Sequence, residues 1–151
     1  MNINTYNIRF NSDRIGELVK EKSFVYSIDK TVIDSPQKAA AIVEALWDAS
    51  NLAQEHFWLL ALNGARRIVG AFTVTVGTLM STPVHPREIF QRAILAGAAS
   101  IIIVHNHPSG TLDVSTADRD VSIRIRQAGD ILGIRLDDHV IVADGDYVSA
   151  Y

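Results

Sequence analysis

The order of elements in this sequence predicts a mixed α/β domain with α+β character, a central mixed sheet and flanking helices. Three observations carry that expectation. Segments of helical period alternate with short apolar runs. One of those runs, Ser100 to Val104, is almost purely aliphatic, as in a strand buried on both faces. Two Asn-Gly or Asp-Gly dipeptides, Asn63-Gly64 and Asp144-Gly145, lie between apolar runs and mark hairpins. That order favours a two- or three-layer α/β arrangement over a bundle or barrel.

The N-terminal residues 1–34 are mixed in character. Tyr6 to Phe10 and Phe24 to Ile28 read as short strands around a polar segment. Ser35 then supplies an N-cap oxygen and Pro36 a first helical residue that has no N–H to lose, so a helix runs from Pro36 to about Leu52. Ala41, Leu46 and Ala49 recur along it at roughly helical spacing. Phe57 to Leu62 and Arg67 to Val76 pair as a hairpin through Asn63-Gly64. A second helix opens at Pro86 behind His85 and stops before Gly97. The Ser100 to Val104 strand exits into a loop, His105 to Val114, that Pro108 and Gly110 punctuate. A third helix follows from Ser115, with Ala117, Val121, Ile125, Ala128 and Leu132 on one face, and ends at Gly133. Val140 to Ala143 and Tyr147 to Ala150 close the chain as a hairpin. The expected division is an N-terminal extension, 1–34, packed on a domain spanning 35–151.

Composition excludes several classes. The 151 residues fit one domain. No apolar run approaches the roughly 20 residues that cross a bilayer, and Met1 to Phe10 has no signal-peptide core, so the expectation is a soluble cytoplasmic protein without a membrane partner. With no cysteine there is neither disulfide nor thiolate metal site, and a zinc nucleoside deaminase, whose pattern needs cysteines, is excluded. A net charge of −3 without basic runs argues against direct nucleic-acid binding. Oligomeric state is not legible in the sequence.

The residues with the clearest chemistry stand after the buried strand. His105 and His107 are two apart, so on an extended chain their imidazoles point to one side and can converge on one ion. Zinc accepts neutral imidazole nitrogen, and a catalytic site needs three protein ligands with one position left for water. Asp118, in the first turn of the third helix, is the best-placed third ligand. Each feature has a plain structural reading. Histidines often lie at strand ends, and Ser115-x-x-Asp118 is also a capping box. The ordered combination of buried strand, His-x-His, seven residues, Ser-x-x-Asp and helix favours the metal.

That combination resembles the JAMM (MPN+) metalloprotease signature. His105-Asn106-His107-Pro108-Ser109-Gly110, Val84-His85-Pro86-Arg87-Glu88-Ile89-Phe90 and Leu136-Asp137-Asp138-His139-Val140-Ile141 resemble its RadC-like bacterial branch, over roughly residues 36–151. The resemblance implies a JAB/MPN deaminase-like fold. It implies one zinc ion per chain, held by His105, His107, Asp118 and water, with Ser115 stabilising an oxyanion. It implies a general base upstream, and Glu55 in Gln54-Glu55-His56-Phe57-Trp58 matches that position. Glu88, the rival carboxylate, sits where it would equally serve a helix dipole. The implied substrate is a peptide or an isopeptide-linked protein. A non-catalytic interaction module on the same fold and a DNA-repair-associated role are the alternatives. The sequence departs from the family pattern in two places. Residues 1–34 lack the helix–hairpin–helix segment common in full-length RadC proteins, and Thr111-Leu112-Asp113-Val114 lacks the usual prolines while adding a carboxylate.

Of the remaining candidates, His85 reads as a helix cap and His139 as a structural residue near the site. His56 should face away from the metal, because neighbouring strand side chains point oppositely. Trp47 and Trp58 read as core, Ser109 and Gly110 as loop-shaping residues, and Arg124 with Arg126 as a solvated helix face.

Overall fold

The computed structural model describes residues 2–26, 32–77 and 84–151. The elements in chain order are β1 (Asn2–Phe10), β2 (Gly16–Val25), α1 (Pro36–Trp47), β3 (His56–Leu62), β4 (Ile68–Val76), α2 (Pro86–Leu95), β5 (Ser100–Asn106), α3 (Thr116–Leu132), β6 (Arg135–Ala143) and β7 (Asp146–Ser149). A single seven-stranded mixed sheet has the order β2-β1-β4-β3-β5-β6-β7. Its parallel contacts are β1 with β4 and β5 with β6; the other neighbours are antiparallel.

The alternation of side chains along β3 sorts the core into two halves. Trp58, Leu60 and Leu62 pack with Ile102, Val104, Val140 and Val142 against α1. Phe57, Leu59 and Ala61 pack with Ile101, Ile103, Ile89, Phe90, Val121 and Ile125, on the face that α2 and α3 cover. The result is three layers, and β3 and β5, covered on both faces, are almost wholly buried. Trp58 is fully buried and stacks on Trp47, as a core residue should. Among the described residues no helix is long and apolar enough to cross a membrane.

Four sequence expectations need correction. First, α1 ends at Trp47 instead of near Leu52. Asp48 adopts a left-handed conformation (φ 53°), and the Glu44 carboxylate draws in the Ser50 main-chain N–H and hydroxyl, turning the chain into a short 3-10 segment, Ala49–Asn51. Second, the N-terminal strands are far longer than expected. β2 is an edge strand open to solvent, so its polar residues are compatible with strand and hide it from apolar patterning; residues 27–31, which include the end of the expected second strand, lie outside the described residues. Third, the buried stripe of α3 is Asp118, Val121, Ser122, Ile125 and Gly129, leaving Ala117 and Leu132 exposed. Fourth, β6 begins at Arg135, five residues before the expected start. Its charged opening is tolerated because Asp137 is met by Ser100 Oγ at 2.7 Å, Arg135 Nε at 2.6 Å and Arg66 Nε at 3.7 Å.

Gly129 explains how closely α3 lies on the sheet. A Cβ there would fall 2.3 Å from the Ile134 carbonyl oxygen, so only glycine allows this approach.

Candidate metal centre

Two carboxylates and two imidazoles meet at the carboxyl ends of the parallel pair β5 and β6, under the first turn of α3. β5 brings His105 on the face that packs against α3. Its Nε2 lies 2.9 Å from His107 Nε2. His107 is held one residue past the strand by its N–H, which donates to the Val142 carbonyl at 2.9 Å. Ring stacking on Phe57, with centroids 5.7 Å apart and planes 7° from parallel, fixes the His105 plane.

Asp118 closes the group from above. Its Oδ1 is 3.1 Å from His105 Nε2 and its Oδ2 is 3.7 Å from His107 Nε2. Ser115 presents both its N–H and its hydroxyl to Oδ2, at 2.8 and 2.7 Å, while Ser115 Oγ accepts the Asp118 N–H at 3.1 Å. Capping box and cluster are therefore the same structure: the cap aims the carboxylate. Burial opposes the charge on Asp118, but the hydrogen bonds from His105 and Ser115 outweigh it and hold the carboxyl well below the usual carboxylate range.

Glu55 arrives from the segment before β3. Ligand atoms of Glu55, His105 and His107 all lie within 4.8 Å of one another. The main chain beside Glu55 is tied to β5 by Asn106, whose Oδ1 accepts the His56 N–H at 2.6 Å and whose Nδ2 donates to the Gln54 carbonyl at 3.1 Å. His56 stacks on Trp58, on the α1 side of the sheet, away from the two site histidines. Glu88 is not drawn in. It pairs with Arg92 at 3.3 Å and Arg87 at 3.7 Å on α2. His85 caps that helix, its Nδ1 accepting the Arg87 N–H at 3.2 Å.

The donor set is compatible with a metal ion. On a tetrahedron with bonds of about 2.0 Å, ligand atoms lie about 3.3 Å apart. Around His105 Nε2 the separations of 2.9 Å to His107 Nε2 and 3.1 Å to Asp118 Oδ1 lie close to that edge. Both histidines also engage their far nitrogens, His105 Nδ1 with His139 at 2.9 Å and His107 Nδ1 with the Thr111 carbonyl at 3.0 Å, the outer support that metal-binding imidazoles receive.

Two contributors, Asn106 and Ser122, escaped the sequence reading. Asn106 stands between the two histidines on the opposite strand face, where period-two alternation marks it as facing away. Ser122 lies one turn after Asp118 on the same helix face, a spacing that could have flagged it. His139, expected as a structural residue near the site, lies within β6 and touches His105 directly, its other nitrogen 2.6 Å from Ser122 Oγ. Burial, and then the neighbouring His105, push its imidazole down to about 3.

A family profile described as the RadC-like JAB domain matches residues 33–151. Among curated relatives, a UPF0758 protein of Rubrobacter xylanophilus is 43% identical over 129 residues, which is 85% of this chain and 56% of that protein. A UPF0758 protein of Thermosynechococcus vestitus is 45% identical over 123 residues, 80% of this chain and 48% of the relative. Another, of Shouchella clausii, is 46% identical over 120 residues, 80% of this chain and 51% of the relative. The chain thus spans about half the length of the relatives it matches.

Proposed function

Because the chain belongs to the RadC-like JAB domain family, we propose that it is a zinc-dependent amide hydrolase acting on a peptide or an isopeptide-linked protein. The observation that carries this reading is the convergence of His105, His107 and Glu55 within 4.8 Å, with the buried Asp118 carboxylate against both imidazoles. His105, His107 and Asp118 would hold one zinc ion. When bound, zinc polarises a water molecule and lowers its pKa towards about 7.

The two carboxylates divide the remaining work by environment. Asp118 is buried, ionised and held by Ser115, which suits a ligand. Glu55 is half-buried at the mouth of the group, which suits a group that exchanges protons with water. In the proposed reaction Glu55 takes a proton from the attacking water and returns one to the departing amine. Ser115 is exposed at the rim, and its hydroxyl, given to Asp118 in this state, can turn to donate to the oxyanion of the tetrahedral intermediate.

The test is Glu55→Gln, assayed on peptide and isopeptide substrates beside the parent. Retained zinc with hydrolysis lost by at least about 100-fold is the expected result, in line with removal of a general base. Full activity would remove Glu55 from the mechanism. A parent protein that binds zinc and cleaves nothing would favour an interaction module on the same fold.

A further inference from the structure

We propose that Ser122 and His139 are positioning residues that fix the tautomer of His105, so that Nδ1 carries its proton and Nε2 turns a lone pair towards Glu55, His107 and Asp118. The purpose of this device rests on the zinc reading above; its geometry does not.

One buried hydroxyl sets the direction of this relay. Ser122 Oγ has three neighbours: His139 Nδ1 at 2.6 Å, the Asp118 carbonyl at 3.2 Å and the Ala150 carbonyl at 3.2 Å. Carbonyl oxygens only accept, and a hydroxyl has one proton. With that proton turned to a carbonyl, Ser122 Oγ accepts from His139. His139 is then protonated on Nδ1 and, as a neutral ring, bare on Nε2. Its Nε2 faces His105 Nδ1 at 2.9 Å, so His105 Nδ1 donates. The reverse orientation would place a proton on the His105 nitrogen that faces the site, where a metal ligand needs a lone pair.

His107 leads to the same point independently. His107 Nδ1 lies 3.0 Å from the Thr111 carbonyl and must donate to it, which leaves Nε2 bare in the neutral ring. Two bare nitrogens 2.9 Å apart repel unless a cation lies between them. The metal proposed above would sit there, with His139 and Ser122 left as they are. Asp118 thereby touches His105 at both ends of the ring: directly through its carboxylate, and through its carbonyl by way of Ser122 and His139.

The experiment is nitrogen-15 NMR of the histidine rings, read from long-range proton–nitrogen correlations, on protein stripped of metal and on protein with zinc added. His139 is expected as the Nδ1–H tautomer in the zinc form. Ser122→Ala is expected to shift His139 away from that tautomer and to weaken zinc binding by roughly 10-fold or more, the usual effect of losing outer support. Ser122→Thr, which keeps the hydroxyl, is expected to restore both. An Nε2–H tautomer at His139, or a Ser122→Ala protein unchanged in tautomer and zinc affinity, overturns the proposal. Zinc binding with His139 in the Nε2–H form would remove this inference and leave the metal centre standing. The Nδ1–H form in a chain that takes up no zinc would do the opposite.

Discussion

The side-chain amide of Asn106 grips the main chain on both sides of Glu55, accepting from His56 N at 2.6 Å and donating to the Gln54 carbonyl at 3.1 Å. The residue between the two site histidines thus helps to hold the acidic residue in register with them. Replacing it leaves two part-buried backbone groups to find new partners, at a cost of about 1 kcal/mol. Asn106→Ala is expected to lose about that much in urea denaturation and to keep its metal, while hydrolysis falls because Glu55 is no longer held. An Asn106→Ala protein as stable and as active as the parent would show that the grip is dispensable.

His107→Ala and Asp118→Ala are expected to lose or sharply weaken metal binding. Elemental analysis should find about one zinc per parent chain, the number of open-site ions that three protein ligands hold, and much less in either variant. No metal in the parent after reconstitution would reduce Ser115 and Asp118 to a helix cap.

The metal-free protein should lose stability in mild acid. His139 has an ordinary value of 6.5 and is depressed to about 3 in the fold, so between these values the unfolded chain holds the extra proton. Stability then rises with pH, and it falls as pH is lowered from 6.5 towards about 3, by at most about 1.4 kcal/mol per unit for one proton. Asp118, also depressed, adds a further loss as pH falls below its ordinary value of 3.8. Urea denaturation across this range checks the sign. His139→Gln, which removes the titrating ring, should flatten the profile above the carboxylate range.

Gly129→Ala tests the seating of α3. The added carbon meets the Ile134 carbonyl oxygen at 2.3 Å, so helix or strand must shift. A loss of about 1–3 kcal/mol is expected from overpacking, together with weaker zinc binding, because the same helix carries Asp118. A variant of parental stability would show that the helix slides freely.

The elements with strong local signals were legible in the sequence. Ser35 and Pro36 start α1, His85 and Pro86 start α2, Ser115 and Gly133 bound α3, and the aliphatic run is β5. β2 was not, because an edge strand bathed in solvent lacks the alternation that burial imposes. The start of β6 was not, because its carboxylates are neutralised by residues far away in sequence, Arg66 and Ser100 among them. The same limit applies at the site. The spacing of His105, His107 and Asp118 is local and visible, whereas the Asn106 clamp spans about fifty positions and the Ser122–His139 contact joins a helix to a strand.

The parallel pairing of β5 with β6 carries a kinetic consequence. Parallel neighbours cannot be joined by a tight turn, so His105 meets Ile141 only after all of α3 has crossed over the sheet. The antiparallel partner of His105 on its other side, Phe57, is just as remote along the chain. Contacts of such long range are slow to close. The four groups at the centre therefore come together only once the middle of the sheet has zipped, and uptake of the proposed metal during refolding would time that late event, while α1 and the β1–β2 hairpin can form without it.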